Sequence, residues 1–76
     1  MNDLVLYSRP GCPECDRVRL ELKAAGITFD DVDVSKDVSL EAEHGKFVPV
    51  IEAGGRIIFH TGMDVAELIE ETIPNL

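Results

Sequence analysis

RPGCPEC occupies residues 9–15, between an apolar stretch that predicts a β-strand and a stretch that predicts an α-helix. Two cysteines at this spacing on a helix lie one turn apart on the same face, so that their sulfurs can bond to each other. Cys12 falls beside the unpaired backbone N–H groups of the helix start, where the helix carries partial positive charge. Because this environment stabilises a thiolate and lowers the pKa of the thiol, we predict that Cys12 attacks and Cys15 resolves. Pro13, which has no N–H, suits the first turn and marks the helix start.

The C-x-x-C spacing alone also fits a zinc site or a chance pair of cysteines. Zinc normally needs four ligands, and one cysteine pair with two scattered histidines, His44 and His60, does not supply them. No metal site is therefore expected. A purely structural disulfide across so short a loop removes little entropy from the unfolded chain. The spacing therefore favours a reactive dithiol.

The composition indicates one ordinary globular domain, residues 1–76, with 45% apolar residues. A chain of this size buries roughly 60% of its unfolded surface. The net charge of −8 argues against nucleic acid or an anionic membrane surface as a partner. No apolar run approaches the roughly 18 residues of a membrane span, and residues 1–7 lack the cationic start of an export signal. A monomer in the cytoplasm is the expectation.

Apolar periodicity and turn residues predict the order strand, helix, strand, helix, strand, strand, helix. The strands are expected at residues 3–8, 27–34, 48–51 and 57–59. The helices are expected from residue 12 or 13 to about 25, as a short helix within 35–45, and from Asp64 to Ile73. The first strand is expected to be buried on both faces, as parallel strands are. Gly54 and Gly55 predict a two-residue hairpin turn, because glycine accepts positive φ.

The first helix carries an apolar stripe at Cys15, Val18, Leu22 and Ala25, and Gly26 is expected to end it. Leu20 lies off that stripe, which predicts a contact on a second side of the helix.

The predicted topology brings three distant loops to one edge of the sheet. The first two strands form a parallel β-α-β unit, the third strand runs antiparallel to the first, and the fourth runs parallel to it. Residues 9–15, 47–49 and 59–64 then meet at one edge, where ligands of open α/β sheets bind.

The Cys-Pro-Glu-Cys string, preceded by Leu-Tyr-Ser-Arg at residues 6–9 and followed by Phe-Val-Pro at 47–49 and the glycine hairpin, resembles the glutaredoxins of the thioredoxin superfamily. The resemblance covers essentially the whole chain and is strongest to a short glutaredoxin-like bacterial branch. It implies an α/β, thioredoxin-like fold of the glutaredoxin type, with a four-stranded mixed sheet and three helices. It also implies catalysis by Cys12 and Cys15 and a cis peptide bond before Pro49.

The resemblance further implies a substrate site formed by Arg9, Pro13, Val48, Pro49 and Asp64. In the family, the cis-proline faces the dithiol, and the backbone of the preceding residue pairs with the bound peptide or glutathione like an added strand. Arg9 is implied to bind a carboxylate of glutathione. Asp64 is implied to bind its glutamyl amine, although a plain helix-capping role explains Asp64 equally well.

The chain departs from the glutaredoxin pattern around the glutathione site. Phe47 replaces the usual Thr, Glu14 replaces a Tyr or similar residue, and Phe59-His60 stand approximately where the family has Gly-Gly. The usual glutathione site is thus poorly preserved. The charge of Glu14 disfavours a thiolate at Cys12 relative to a neutral residue, whereas Arg9, Arg17 and the helix start favour the thiolate. We expect a less acidic Cys12 than in strongly oxidising relatives, which predicts a reducing role.

The two histidines have different expected roles. His60, near the same edge, is either a proton shuttle for the dithiol, a cation near its thiolate or an ordinary surface residue. His44, at the end of a short helix, is expected to be structural.

Three functions follow as hypotheses. The leading one is a thiol–disulfide oxidoreductase that reduces protein or small-molecule disulfides, with no tightly bound cofactor. Its partners are expected to be disulfide-containing proteins, with glutathione or a thioredoxin-reductase-type donor as the reductant. The alternatives are a metal or iron–sulfur binding module and a non-catalytic adaptor that binds proteins through the edge at Val48-Pro49.

Overall fold

The computed structural model describes residues 4–64 of the chain. Four strands form a single sheet, connected by two α-helices, one 3₁₀ turn and a hairpin. The elements are β1 (Leu4–Ser8), α1 (Pro13–Ala24), β2 (Asp30–Asp33), the 3₁₀ turn (Val34–Lys36), α2 (Val38–His44), β3 (Val50–Ala53) and β4 (Arg56–Phe59). The last helix predicted from the sequence lies outside the described residues.

The sheet is mixed, with the strand order β2-β1-β3-β4. β1 pairs parallel with β2 and antiparallel with β3, and β3 pairs antiparallel with β4. The predicted topology is therefore confirmed. The end of β1, the start of β3 and the end of β4 share one edge, since Tyr7 is opposite Val50 and Ile51 is opposite Phe59.

The hairpin between β3 and β4 depends on its two glycines. Gly54 and Gly55 have φ angles of 57° and 86°, a region that other residues rarely adopt. Positive φ at both central positions matches the right-handed twist of the flanking strands. The hairpin prediction is confirmed.

The core lies between α1 and one face of the sheet. It contains two residues of α1 and apolar residues from β1, β3, β4 and the segment after α1, namely Val18, Leu22, Leu4, Leu6, Ile51, Phe59 and Ile27. α1 ends at Ala24, and Gly26 takes the expected positive φ of 74° just beyond it. Leu20 is 68% exposed, so the predicted second contact of α1 is wrong for the described part of the chain.

Three strands differ from their predicted form. β3 begins two residues later than predicted, because Val48 and Pro49 belong to the loop before it, and it ends at Ala53. β1 alternates buried and half-buried residues, so only one of its faces is fully covered. β2 is shorter than the predicted strand at 27–34. Residues 27–29 lie before the strand, and Val34 already begins the 3₁₀ turn. Its aspartates are tolerated because β2 is an edge strand, with one side open to water.

α2 contacts the other face of the sheet through an aromatic stack. The rings of Tyr7 and His44 lie 4.3 Å apart, and the Tyr7 hydroxyl donates to Glu52 over 3.1 Å. His44 is only 8% exposed, in agreement with its interpretation as a structural residue. Burial, and then the hydrogen bond to Glu52, raise the pKa of Tyr7 above its ordinary value.

Candidate active site

The two cysteines form a disulfide at the start of α1, with their Cα atoms 5.2 Å apart. Cys12 is the N-cap residue, and its sulfur accepts the backbone N–H of Cys15 over 3.1 Å. Cys12 is half-buried, whereas Cys15 is completely buried among core residues. The cysteine that keeps exposed surface is therefore the one whose sulfur a backbone donor contacts.

The local sequence explains this placement. Gly11 has a φ of 73°, which lets the chain turn sharply after β1, and Pro13 occupies the first helical position. The helix then begins with Cys12 outside it and Cys15 in its first turn. On α1, Cys15 lies on the same buried stripe as Val18 and Leu22.

The loop before β3 contains the expected cis peptide bond, between Val48 and Pro49. Two backbone hydrogen bonds hold Phe47, the residue before Val48. The Phe47 N–H donates to the carbonyl oxygen of His44, and the Phe47 carbonyl accepts from the N–H of Thr61. Pro49 is fully buried. Within residues 4–64, no backbone hydrogen bond involves Val48, so its peptide groups are available to a ligand.

Arg9 is held against α2 rather than extended into solvent. Its Nη2 donates to the carboxylate of Glu41 and, over 3.0 Å, to the carbonyl oxygen of Gly45. A Cβ atom on residue 45 would clash with the backbone oxygen of Glu41 and lie 2.7 Å from Nη2, so glycine fits this crowded position. A glutathione carboxylate that bound Arg9, as the family resemblance implies, would have to share its guanidinium with Glu41.

Glu14 lies in the first turn of α1 and contacts the loop that follows β4. Its carboxylate accepts the hydroxyl of Thr61 over 2.9 and 3.1 Å and the N–H of Gly62 over 3.4 Å. This link joins residues 47 positions apart, which the sequence pattern did not indicate.

A polar cluster joins α1 to the ends of β1 and β2. Arg19 donates to the carboxylates of Asp16 and Asp31 and to the hydroxyl of Ser8, and Ser8 in turn donates to Asp31 over 2.8 Å. Ser8 is 3% exposed, so these bonds satisfy a buried hydroxyl. The hydrogen bond to Asp31 is the main reason that the pKa of Arg19 is raised.

His60 contributes to a groove on the α2 side of the sheet. The groove has a volume of about 360 Å³ and is lined by residues of α2, the proline loop and the hairpin, namely Glu43, His44, Phe47, Val50, Ile57 and His60. The His60 ring lies 2.9 Å from the carbonyl oxygen of Thr61. A role for His60 in proton transfer stays a prediction.

The remaining predicted site residues lie around the dithiol edge. Pro13 is exposed beside Cys12, and Asp64 is exposed at the end of the described chain. Substrate binding by Arg9, Pro13, Asp64 and the Val48-Pro49 pair stays a prediction. Among residues 4–64, no three His, Cys, Asp or Glu side chains converge on a possible metal position. Neither helix of this region has the length and apolar character that crossing a bilayer requires.

A mixed four-stranded sheet, a dithiol at a helix start and a cis-proline facing the same edge define a protein of the thioredoxin-like fold. A family model described as glutaredoxin matches residues 4–58. The chain is 39% identical over 70 residues to a glutaredoxin-like 8.6 kDa protein of the rubredoxin operon of Clostridium pasteurianum, covering 83% of this chain and 88% of that one. The chain belongs to the glutaredoxin family.

Solved structures agree with this assignment. A structural genomics target, XcR50 from X. campestris, matches with a TM-score of 0.78 at 30% identity, over 93% of this chain and 96% of that one. A glutaredoxin from Brucella melitensis matches with a TM-score of 0.70 at 32% identity, over 99% and 86%.

Two curated relatives are matched over only part of their length. The gene 56 protein of Mycobacterium phage L5 is 56% identical over 32 residues, which cover 42% of this chain but 31% of that protein. The N-acetyl-S-hydroxy-L-cysteine reductase of Bacillus subtilis (strain 168) is 33% identical over 57 residues, which cover 68% of this chain and 61% of that protein.

Proposed function

We propose that this glutaredoxin-family protein reduces disulfides by a two-cysteine mechanism. The observation that carries the proposal is the asymmetry of the two sulfurs. Cys12 is partly exposed and its sulfur accepts a backbone N–H, which favours its thiolate, whereas Cys15 is completely buried. Such a pair suits a nucleophile and a resolving thiol.

The reaction moves two electrons from the protein to the substrate. The Cys12 thiolate attacks one sulfur of the substrate disulfide, forms a mixed disulfide and releases the other substrate sulfur as a thiolate. The Cys15 thiolate then attacks the Cys12 sulfur, which closes the intramolecular disulfide and releases the second substrate thiolate. The two protons lost by Cys12 and Cys15 balance those gained by the substrate thiols.

The available backbone of Val48 supports binding of an extended peptide. A substrate segment beside the cis-proline would pair with Val48 as an added strand, which would bring its disulfide to Cys12. Protein disulfides are therefore the proposed substrate class. The name of the Bacillus relative adds a small-molecule candidate: a sulfenic acid such as N-acetyl-S-hydroxy-L-cysteine would yield water and the same mixed disulfide.

Turnover assays test the proposal and identify the electron donor. The protein is supplied with a peptide disulfide and either glutathione or a thioredoxin reductase with its nicotinamide cofactor, and released thiols are measured over time. We expect turnover with at least one donor and none with Cys12→Ser. Equal thiol release by the Cys12→Ser variant would refute the mechanism.

A further inference from the structure

Two of the three arginines nearest to the dithiol along the chain are already neutralised. Arg9 is paired with Glu41, and Arg19 is paired with Asp16 and Asp31. An approaching substrate therefore does not meet the full positive charge of either guanidinium.

Glu14 is in the opposite situation. Its carboxylate is held by neutral donors, the hydroxyl of Thr61 and the N–H of Gly62. Arg17 lies one turn further along α1, yet no ion pair joins it to Glu14 in residues 4–64. Within residues 4–64, Glu14 therefore forms no ion pair with a cation.

The position of Glu14 makes this charge relevant to substrates. Glu14 is exposed and stands between the two cysteines in the first turn of α1. The Thr61 contact holds its carboxylate at the loop after β4, on the same sheet edge as the cis-proline loop. The carboxylate also accepts the Gly62 N–H over 3.4 Å, so Glu14 occupies this backbone donor.

We propose that Glu14 determines substrate specificity, favouring disulfides flanked by cationic side chains over anionic ones such as oxidised glutathione. This inference rests on the proposed disulfide reduction and names its substrate class. A positively charged residue next to the substrate cysteine is attracted to the Glu14 carboxylate while the disulfide lies at Cys12. A substrate carboxylate at the same place is repelled.

Coulomb's law sets the size of the effect. For charges about 7 Å apart in water, a single negative charge favours a cationic over an anionic substrate by about sevenfold. Salt reduces this preference, because the screening length falls to about 3 Å at 1 M ionic strength.

Single-turnover kinetics test the proposal without an electron donor. Two synthetic peptide disulfides differ only in a Lys or a Glu beside the cysteine, and each is mixed with reduced protein at low and at high salt. The measured quantity is the ratio of the two second-order rate constants. Any change in the general reactivity of Cys12 affects both rates equally and cancels in this ratio.

Three variants separate charge from structure. Glu14→Gln removes the charge and keeps an oxygen that can accept from Thr61. Thr61→Val removes the hydroxyl contact and keeps the charge. Glu21→Gln is the matched control, because Glu21 is exposed on the same side of α1 about 10 Å further along the helix.

We expect the native protein to prefer the Lys peptide by about sevenfold at low salt and to lose the preference at high salt. Glu14→Gln should bring the ratio near one, while Thr61→Val and Glu21→Gln keep it within about twofold of the native ratio. An unchanged ratio in Glu14→Gln, or an equal loss in Thr61→Val, would overturn the proposal. Absence of reaction with both peptides would instead count against the disulfide reduction itself.

Discussion

In the reduced protein, we expect iodoacetamide to modify Cys12 at least about one hundred times faster than Cys15. Cys12 is only half-buried at the N-cap, so we expect a reagent to reach its sulfur without opening of the fold. Cys15 has no exposed surface, so its alkylation requires the first turn of α1 to open.

The size of the difference follows from the cost of that opening. A hundredfold protection needs an opening free energy of about 2.8 kcal/mol, since about 1.4 kcal/mol corresponds to tenfold. The whole domain of 76 residues is expected to have a stability of about 4–11 kcal/mol, so local opening at this cost is well within range. The backbone N–H that contacts Cys12 adds to the ratio by favouring its thiolate.

Timed alkylation followed by mass spectrometry measures the two rates. The reduced protein is freed of reductant, treated with iodoacetamide, quenched and digested so that the two cysteines fall in separate peptides or are resolved by fragmentation. In denaturant, the two rates should converge because both burial and the helix are lost. Similar rates in the folded protein, or faster modification of Cys15, would refute the assignment of roles.

Three further predictions concern the parts of the fold that support the site. The one tyrosine of the chain, Tyr7, should ionise above pH 10.0 by ultraviolet absorbance, and Glu52→Gln should lower the midpoint only partly, because burial is the larger cause. Because folding raises the pKa of Tyr7, its stabilising contribution is complete below pH 10.0 and is lost as the pH rises through the folded pKa, which denaturant unfolding can follow. Leu22→Ala should lower the free energy of unfolding by about 2–5 kcal/mol, since Leu22 is fully buried in the core. Asp37→Ala should cost about 1 kcal/mol, because the Asp37 carboxylate caps α2.

The leucine prediction has a control variant, and the cap prediction has a second measurement. Leu20→Ala removes the same atoms from an exposed site on α1 and should change stability by less than about 0.5 kcal/mol. For the cap, faster hydrogen exchange at the Ser39 and Leu40 amides should accompany the loss, because both donate to Asp37. A Tyr7 midpoint at or below 10.0, or equal effects of the two leucine variants, would contradict the described packing.

The elements that the sequence predicted best are those with strong local signals. Gly54 and Gly55 permit a turn that few other residues permit, and Pro13 after Cys12 marks one helix start. The order and direction of the strands could then be predicted, because a parallel β-α-β unit and a hairpin leave few arrangements of four strands. The cis bond before Pro49 came from the family resemblance and is confirmed.

The features that the sequence did not predict depend on contacts between distant residues. Leu20 looked apolar enough to pack, yet nothing in residues 4–64 covers it. The contacts of Glu14 with Thr61 and of Arg9 with Glu41 join residues 47 and 32 positions apart, and pattern and propensity carry no information about such pairs. The charge distribution around the dithiol therefore emerged only from the fold.

The most direct test of the mechanism is to trap its covalent intermediate. Reduced Cys15→Ser and Cys12→Ser variants are mixed with a peptide disulfide and analysed by intact mass spectrometry. We predict that Cys15→Ser accumulates one mixed disulfide per chain, because Cys12 can attack but nothing releases the peptide, and that Cys12→Ser forms none. An adduct on Cys12→Ser, or on neither variant, would contradict the account.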